Sequence, residues 1–498
     1  MNEDGAPQGP SGSIEDQVVA ARRAVHEQLV ASGAYPHRFD RTHLSSAVFE
    51  RWGDIEPGSE TEDRVVVAGR LMNTRDLGRL AFGVLQDAGG RIQLFADQRT
   101  LGDQFAAFGE LDSGDWIGAG GTVMKTKKGE LSVRVSDVFL LAKALRPLPE
   151  KWHGLKDVEA RSRQRYVDLM VNPDSLAVAL ARSRIVAALR RAFDDRGFIE
   201  VETPVLLAQA TGATARPFVT HHNALDLDLQ LRIATELYLK RLVIVGIERV
   251  YEIGRIFRNE GLDATHSPEF TMLEAYQAFA DHEDIMELVE SVVSSTAAEA
   301  VGSTELDYRG RPLSLAGPYR RTTLLALVSE FVGEDVSLDS DPDHLGGLIE
   351  QHGGAVDPSW AVGKRLFELY ELAHREVWEP TFVIGFPTEV SPLSRVDEAD
   401  PRMTERFELV IAGAEYCNAF SELNDPIDQR ERFAEQAARR AAGDDEAHVV
   451  DEEYLRALEY GLPPTGGLGI GVDRLVMLLT DQRHIREVIL FPTMRPEG

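Results

Sequence analysis

The sequence contains a single cysteine, Cys417, among 498 residues. One cysteine excludes an internal disulfide and a cysteine-rich zinc site, and it fits a cytoplasmic location. No apolar run approaches the ~20 residues that a membrane-spanning helix requires, so we expect no membrane partner. The N-terminal stretch MNEDGAPQGPSGS lacks the apolar core of a secretory signal and predicts a disordered lead-in.

Basic residues are also scarce, with 53 Lys+Arg against 82 Asp+Glu and a formal net charge of −29. This balance is unusual for a protein that binds nucleic acid, where a basic footprint is expected. The region from about residue 62 to residue 150 is closer to neutral and contains Lys125, Lys127 and Lys128. A length of 498 residues and a hydrophobic content of 43% predict a soluble globular protein of two or three domains.

The N-terminal third changes from a helical period to a period of two. Residues 1–60 predict a lead-in and a helical extension, because apolar positions between residues 14 and 32 recur at helical spacing. Residues 61–150 then contain five alternating segments: VVVAGRLM, LAFGVLQD, RIQLFAD, DWIGAGGTVM and LSVRVSDVFLL. Five short strands with basic loops predict an OB-fold barrel, which binds single-stranded nucleic acid by stacking and backbone charge. Taken alone, Phe82 is more typical of a core residue than of a stacking platform.

The region 250–276 predicts two strands joined by a polar loop. Its second strand presents four residues on one face, because they recur at every second position: Phe270, Met272, Glu274 and Tyr276. An aromatic ring, a carboxylate and a phenol therefore lie near Arg258, whose planar guanidinium can hold a carboxylate or a phosphate. An ordinary amphipathic hairpin with charged rims would show the same alternation.

The string RFELVIAGAEYCNAFSELNDP carries a second group of polar residues. Glu408 and Glu415 flank a predicted turn, and two carboxylates so placed suit Mg²⁺ together with substrate phosphates. Asn418, Phe420 and Glu422 alternate onto one strand face, with which Glu415 is out of phase. If all four face one pocket, a β-bulge is required between Glu415 and Asn418.

The string PPTGGLGIGVDRLVML has spaced glycines that superficially suggest a dinucleotide-binding turn. A Rossmann site would require a preceding strand, a GxGxxG turn and an acidic residue ~20 positions later. Here Arg474 follows immediately, at the start of a predicted helix. The string therefore lacks the order of elements that a dinucleotide-binding turn requires.

These strings resemble the motifs of the class II aminoacyl-tRNA synthetases, most closely the lysyl-tRNA synthetases, and the resemblance covers nearly the whole chain. In this chain, motif 1 of that family matches residues at about 183–204, motif 2 at about 249–276 and motif 3 at about 463–479. In the motif 1 region, apolar residues at helical spacing predict a helix from Ser183 to Arg196, followed by a strand, FIEVET, that stops at Pro204. The resemblance implies an α+β fold in which an OB-fold β-barrel precedes an antiparallel-sheet catalytic domain with helices. Its anticodon-binding domain would span 61–150 and its catalytic domain 151–498, with a helical insertion at about 318–376.

The resemblance also implies a lysine–tRNA ligase activity. L-lysine would be activated with ATP to lysyl-adenylate and then transferred to the 3′ end of tRNA(Lys), with Mg²⁺ as cofactor, up to three ions per active site, in a homodimer. The carboxylates of Glu236, Glu274 and Glu422 exceed what one α-amino group requires, which favours lysine over aspartate and asparagine. Two alternatives stay open: a paralogue that lysylates an acceptor other than tRNA, and a catalytically silent RNA-binding homologue.

The family's functional residues match this sequence position by position. Arg258 and Arg474 would be catalytic. Lysine would be bound by Gly212, Glu236, Arg258, Glu274, Tyr276, Asn418, Phe420 and Glu422. ATP would be bound by Arg258, Glu260, His266, Phe270, Glu408, Glu415 and Arg474. The metal ions would be held by Glu408 and Glu415, and the anticodon by Arg70, Phe82, Gln93 and Glu130. The chain departs from the family's common pattern at several other positions. Thr235 replaces a proline, Ile256 and Ser267 each replace an asparagine, and Ala414 replaces a basic residue.

Overall fold

A computed structural model of the chain describes residues 13–33, 35–149, 155–213, 215–441 and 450–496. The lead-in predicted at the N-terminus lies outside this description for residues 1–12, as does the domain boundary predicted between residues 150 and 151. The chain divides into two compact units, Met1–Lys156 and Asp157–Gly498. Among the described residues, no helix combines the length and the apolar character needed to cross a membrane.

The first unit is built around a closed β-barrel. Its elements in chain order are α1 (Ile14–Ala31), α2 (Ser45–Trp52), β1 (Glu60–Asp76), β2 (Leu80–Asp87), β3 (Gly90–Asp97), α3 (Gln98–Leu101), α4 (Gln104–Gly109), β4 (Trp116–Lys125) and β5 (Leu131–Ala142). The strands close in the order β1-β2-β3-β5-β4. Val65, Val67 and Leu71 are fully buried at alternate positions of β1, as a barrel interior requires. The predicted OB-fold barrel is therefore confirmed.

The second unit is a mixed α+β structure. Its elements in chain order are α5 (Val158–Arg163), α6 (Arg165–Val171), α7 (Pro173–Asp194), β6 (Ile199–Glu200), β7 (Leu206–Leu207), β8 (Val219–His222), β9 (Leu227–Leu231), α8 (Glu236–Val245), β10 (Arg249–Phe257), β11 (Glu269–Ala278), α9 (His282–Val301), β12 (Glu305–Tyr308), β13 (Arg311–Ser314), β14 (Arg320–Thr323), α10 (Leu324–Val332), α11 (Pro342–Gln351), α12 (Val362–Ala373), β15 (Thr381–Pro387), β16 (Met403–Ile411), β17 (Ala414–Ser421), α13 (Pro426–Ala441), α14 (Glu452–Leu458), β18 (Thr465–Gly471), α15 (Val472–Leu479) and α16 (Ile485–Val488).

The main sheet of this unit runs in the order β14-β15-β16-β17-β18-β11-β10-β6. Its central pairs are antiparallel, and only the outer pairs β14–β15 and β10–β6 are parallel within the described residues. The predicted antiparallel-sheet domain with helices is confirmed. The hairpin predicted at 250–276 is β10 and β11, which pair from Arg249–Gln277 to Phe257–Glu269.

The alternation along the central strands separates a core face from an open face. Leu273, Ala275, Cys417 and Ala419 are buried in the largest hydrophobic cluster, which includes residues of α7 and α9. The residues between them point to the opposite face, because successive side chains of a strand alternate sides. Burial of one face thus fixes the register of the polar residues on the other.

The helix and strand predicted near motif 1 differ from the observed ones. Helix α7 begins at Pro173, ten positions earlier than the predicted start at Ser183, because a proline suits the first turn of a helix. Of the predicted strand FIEVET, only Ile199 and Glu200 form the strand β6, which pairs with Val250 and Tyr251 of β10. The prediction of a strand over the whole segment was wrong: Val201 still donates to the carbonyl of Tyr251 at 2.9 Å, but the N–H of Thr203 is bonded to the side chain of Glu252, and Pro204 has no N–H to donate.

Candidate active site

A cavity of about 810 Å³ opens on the polar face of the main sheet. This volume falls in the usual range for a small-molecule site. Every residue that the sequence predicts for lysine, ATP or metal lines this cavity: Gly212, Glu236, Arg258, Glu260, His266, Phe270, Glu274, Tyr276, Glu408, Glu415, Asn418, Phe420, Glu422 and Arg474. Residues distant in the chain thus come together because β11, β17 and β18 are neighbouring strands.

The β-bulge that the sequence requires is present in β17. Leu409 pairs with Cys417 and Val410 pairs with Glu415, so Tyr416 is the extra residue. The bulge shifts the phase of the strand by one position, which allows Glu415 and Asn418 to face the same cavity. This prediction is confirmed.

One end of the cavity is lined by buried carboxylates. Glu236, Glu274 and Glu422 are 9%, 4% and 2% exposed, respectively. Lys240, which is fully buried, donates a hydrogen bond to Oε1 of Glu236 at 2.5 Å and forms an ion pair with Glu422. Burying three carboxylates beside one ammonium is unfavourable unless further positive charge arrives.

Glu274 is the carboxylate at the centre of the hairpin. Both of its side-chain oxygens accept from the backbone N–H of Thr235, each at 3.2 Å. Burial, and then the nearby charge of Glu236, raise the pKa of Glu274 to about 7. The Thr235 N–H opposes this rise because it stabilises the ionised form. Glu274 therefore ionises close to neutral pH.

Glu422 follows β17 and is the most deeply placed of the three carboxylates. Within the described residues, no hydrogen-bond donor reaches its Oε1 atom. Burial raises the pKa of Glu422 well above its ordinary value, and the ammonium of Lys240 opposes that rise. Gly467 makes room for this carboxylate, because a Cβ there would overlap both Oε1 of Glu422 and the ring of Tyr276. A buried carboxylate oxygen without a donor is typical of a site that binds a cation or an ammonium.

Arg258 directly follows β10 and lines the cavity together with Glu274 and Phe270. Its Nε donates to the carbonyl of Ile233 at 3.4 Å, and its guanidinium lies 5.2 Å from the ring centroid of Phe270. Burial lowers the pKa of Arg258, and Glu260 and Glu274 oppose that effect. Because the guanidinium stacks on an aromatic ring, its orientation is held without occupying all its donors.

Arg474 links three segments of the opposite end of the cavity. Its Nη1 donates to the carbonyl of Glu415 at 2.8 Å and lies 3.4 Å from Oε2 of the same residue. Its Nη2 lies 3.3 Å from Nε2 of His266, whose Nδ1 is 2.7 Å from a carboxylate oxygen of Asp263. A guanidinium and an imidazole side by side form a site suited to the oxygens of a phosphate chain.

Glu408 and Glu415 lie on neighbouring strands beside this phosphate-type site. Glu408 accepts from the hydroxyl of Tyr370 and from Nη2 of Arg406, both at 2.6 Å. Burial, and then the charge of Glu415, raise the pKa of Glu408 to about 7. No cluster of three or more acidic, histidine or cysteine ligands occurs in the described part of the chain. The two carboxylates fit a Mg²⁺ ion that also binds substrate phosphates, rather than an ion enclosed by protein alone.

The residues predicted to read an anticodon lie on the barrel. Phe82 and Gln93 are half-buried on the outer side of β2 and β3, and the Phe82 ring packs edge-on against Phe95 at 5.3 Å. Gln93 accepts from the hydroxyl of Ser132 at 2.9 Å. Phe82 is therefore on the surface side of the barrel and is not one of its core residues.

The other two barrel candidates, Arg70 and Glu130, differ in position: the carbonyl of Glu130 lies 3.3 Å from the Ser132 hydroxyl that also donates to Gln93, whereas Arg70 lies on β1. The guanidinium of Arg70 donates to the carbonyl of Gly114 at 2.7 Å and lies 4.9 Å from the ring centroid of Trp116. Glu130 is exposed at the start of β5. The structure thus joins Phe82 and Gln93 on adjacent strands, whereas Arg70 is engaged with the β4 region.

Sequence reasoning missed three residues that line or support the cavity: Lys240, Tyr370 and Arg406. Lys240 follows Glu236 by four positions, a spacing at which side chains of a helix meet. That spacing was the signal in the sequence that could have predicted the contact between Lys240 and Glu236. Arg406 precedes Glu408 by two residues on one strand face, and its Nε also donates to Asn418 at 2.9 Å. Tyr370 comes from α12, and no local pattern connects it to β16.

Comparisons with known proteins agree with this geometry. Residues 157–495 match the family model of tRNA synthetases class II (D, K and N), and residues 65–141 match that of the OB-fold nucleic acid binding domain. A lysine–tRNA ligase of Shouchella clausii is 49% identical over 96% of this chain and 96% of its own length. A lysine–tRNA ligase of Synechococcus sp. is 51% identical, with 95% of each chain covered. The chain therefore belongs to the class II tRNA synthetase family (D, K and N).

Proposed function

We propose that this protein is a lysine–tRNA ligase, which activates L-lysine with ATP and transfers it to the 3′ end of tRNA(Lys). The observation that carries the proposal is the buried acidic end of the cavity, where Oε1 of Glu422 has no donor among the described residues. Relatives that match nearly the full length of the chain are named lysine–tRNA ligases. The family and the pocket therefore point to the same substrate.

The charge of the pocket selects the amino acid. Glu236 and Gly212 would receive the α-ammonium, and Glu422 with Tyr276 would receive the ε-ammonium. Glu274, Asn418 and Phe420 complete the lining. Aspartate would bring a further carboxylate into this acidic end, and asparagine would leave it one ammonium short. Leaving buried polar groups unpaired can discriminate by ~10⁴ or more, so lysine needs no separate editing site.

Activation joins two anions, and the proposed roles follow from where the cations lie. The lysine carboxylate attacks the α-phosphate of ATP, and pyrophosphate leaves. Arg258 would bridge the carboxylate and the α-phosphate, while His266 and Arg474 would hold the outer phosphates, with Glu260 beside them. Phe270 would stack on adenine. The protein then acts by neutralising charge and aligning the reactants, which is how phosphoryl-transfer sites obtain most of their acceleration.

Mg²⁺ is the cofactor that these residues fit best. Glu408 and Glu415 would hold the ions, up to three per active site, together with the phosphates of ATP. When bound, Mg²⁺ supplies positive charge that stabilises the phosphate oxygens and the leaving pyrophosphate. The like-charge repulsion that raises the pKa of Glu408 would be relieved by such an ion.

The barrel would read the anticodon, with Phe82 stacking on a base, Gln93 and Glu130 bonding base edges, and Arg70 contacting the backbone. We also propose a homodimer that involves the motif 1 region. Its support is a group of apolar side chains between 38% and 67% exposed: Ile199, Val205, Leu206, Val219, Leu225 and Leu227. Exposed apolar residues in one region of a soluble chain are typical of a protein interface.

The test is ATP–pyrophosphate exchange with a panel of amino acids. We expect exchange with lysine and Mg²⁺, and none with aspartate or asparagine or after removal of Mg²⁺ by EDTA. Purified protein that is silent with all three amino acids would refute the proposal. Charging of tRNA transcripts with altered anticodons tests the acceptor: equal charging of every transcript would argue against the anticodon reader.

A further inference from the structure

An ammonium that belongs to the chain itself lies inside the acidic pocket. Lys240 is fully buried on α8, where it forms ion pairs with Glu236 at 2.5 Å and with Glu422. Its Nζ also lies 5.4 Å from the ring centroid of Phe420 and 5.9 Å from those of Tyr276 and Tyr454. The two carboxylates that it joins are those proposed above for the two ammonium groups of the substrate.

A lysine on a helix often pairs with a glutamate four positions earlier, and that pair alone would only stabilise the helix. Lys240 differs because its second partner, Glu422, lies at the end of β17 and comes from a different part of the chain. Three surfaces converge on its Nζ: α8 itself, the strands β11 and β17, and α14 through Tyr454. Lys240 therefore connects the two ends of the proposed lysine site.

The charges of the pocket become balanced when Lys240 is counted. Glu236, Glu274 and Glu422 exceed the single ammonium of Lys240 by two negative charges. Lysine brings two ammonium groups, and its carboxylate is left for Arg258. A pocket without Lys240 would hold one negative charge too many for this substrate.

We propose that Lys240 is a positioning residue for the substrate, which holds the carboxylates of Glu236 and Glu422 at a fixed spacing so that each receives one ammonium of lysine. This inference rests on the proposed function and adds a specificity-determining residue to it. It also explains why a fully buried lysine is retained here, since a buried charge is costly unless it is paired.

The electrostatics agree with this role. Burial alone would lower the pKa of Lys240, but the charges of Glu236 and Glu422 raise it above its ordinary value, so its ammonium stays charged. The ammonium in turn lowers the pKa of Glu422 against the effect of burial. The titratable groups that surround Lys240 are Glu236, Glu274, Glu422, Tyr276 and Tyr454.

Removing the charge of Lys240 should raise the KM for lysine, which gives the test of this inference. In K240M or K240Q the pKa of Glu422 rises further, so more of the carboxyl is protonated near neutral pH. Lysine then binds only after that proton leaves, and its KM should fall as pH rises, by up to ~10-fold per pH unit. We expect the KM for lysine to be at least ~10-fold above wild type at pH 7. Because burial already raises the pKa of Glu422 in the wild type, the pH above which the KM stops falling should be higher in the variants than in the wild type.

The assay is ATP–pyrophosphate exchange between pH 6.5 and pH 8.5, with KM measured for lysine and for ATP. The KM for ATP should change little. A KM for lysine that is unchanged, or a KM for ATP that rises by the same factor as the KM for lysine, would overturn the inference while leaving the proposed function intact. Wild-type protein that is silent with lysine would instead refute the proposed function, so the two failures are distinguishable.

Lys143 in the barrel provides a matched control. It is also a buried lysine between two carboxylates, at 2.6 Å from Asp112 and 2.9 Å from Asp115. Because the exchange reaction does not involve tRNA, K143M should lower thermal stability without moving the KM for lysine or its pH profile. A pH profile of the KM for lysine that is displaced from wild type in K143M as well would mean that the effect is non-specific and would overturn the inference.

If neither K240M nor K240Q folds, K240R tests the positioning role of Lys240. It keeps the positive charge, so the pH profile should match wild type, but its longer, planar head displaces the two carboxylates. We therefore expect a raised KM for lysine with a normal pH profile. An unchanged KM for lysine in K240R would overturn the positioning role.

Discussion

Replacing Glu422 by glutamine removes a charge from the deepest part of the pocket while almost preserving the side-chain volume. Glu422 is 2% exposed, and its Oε1 has no donor among the described residues. The proposed partner of this oxygen is the ε-ammonium of lysine. A glutamine amide can accept one hydrogen bond from that ammonium, but it cannot supply the opposing charge.

The expected loss of kcat/KM for lysine in E422Q follows from the burial of the proposed ion pair between Glu422 and the ε-ammonium of lysine. Breaking a buried, hydrogen-bonded charge pair costs roughly 2–5 kcal/mol, part of which is the penalty of leaving the other charge unpaired. We take about 3 kcal/mol for E422Q, which corresponds to a loss of roughly 150-fold in kcat/KM for lysine. The KM for ATP should stay within about twofold, because His266 and Arg474 lie at the opposite end of the cavity.

The assay is ATP–pyrophosphate exchange at saturating ATP with varied lysine, and then at saturating lysine with varied ATP. The control is E290Q, since Glu290 accepts from the backbone N–H of Tyr319 at 2.8 Å and does not line the cavity. E290Q should lower stability and leave both KM values unchanged. Unaltered kcat/KM for lysine in a folded E422Q protein would refute the assignment of the pocket.

Three further predictions concern other parts of the protein. G467A should raise the KM for lysine, because the new Cβ overlaps Glu422; a normal KM would show that the strand can shift. T235P removes the N–H that donates to Glu274, so the pKa of Glu274 should rise above about 7 and the pH profile of kcat/KM for lysine should move to higher pH. F82A should lower kcat/KM for tRNA by about 5- to 150-fold through lost stacking and leave exchange unchanged, whereas equal loss in both assays would contradict the role in tRNA binding.

The fold was predictable wherever one side of a strand is buried. The alternation of Phe270, Glu274 and Tyr276 identified the polar face of β11, because Leu273 and Ala275 between them are in the core. The same alternation in the sequence of β17 requires the bulge between Glu415 and Asn418. Period-two patterns carry this information because a shift of one residue would bury the polar set.

Prediction was poorer where the residues have no such pattern. The strand predicted over FIEVET is reduced to β6, which pairs with Val250 and Tyr251 near the start of β10, and the composition of the segment does not show how far this pairing extends. Tyr370 supports Glu408 from α12, at a separation in sequence that no local period connects. The sheet order brings these elements together, and the sequence alone does not encode that order in any short segment.

Lys240 shows a different limit of prediction from sequence. Its spacing of four residues from Glu236 can be read from the sequence, but the spacing does not reveal that the pair is buried in the pocket. A Glu–Lys pair four positions apart occurs on many exposed helices, where it contributes only ~0.3–0.5 kcal/mol. What distinguishes this pair is the third partner, Glu422, and the burial of all three groups, of which Lys240 is fully buried. Desolvation makes each unmatched charge expensive, so the pocket can reject an amino acid that leaves one carboxylate unpaired. In the proposed function, the local balance of buried charges would set the selectivity for lysine, and the net charge of −29 gives no guide to that balance.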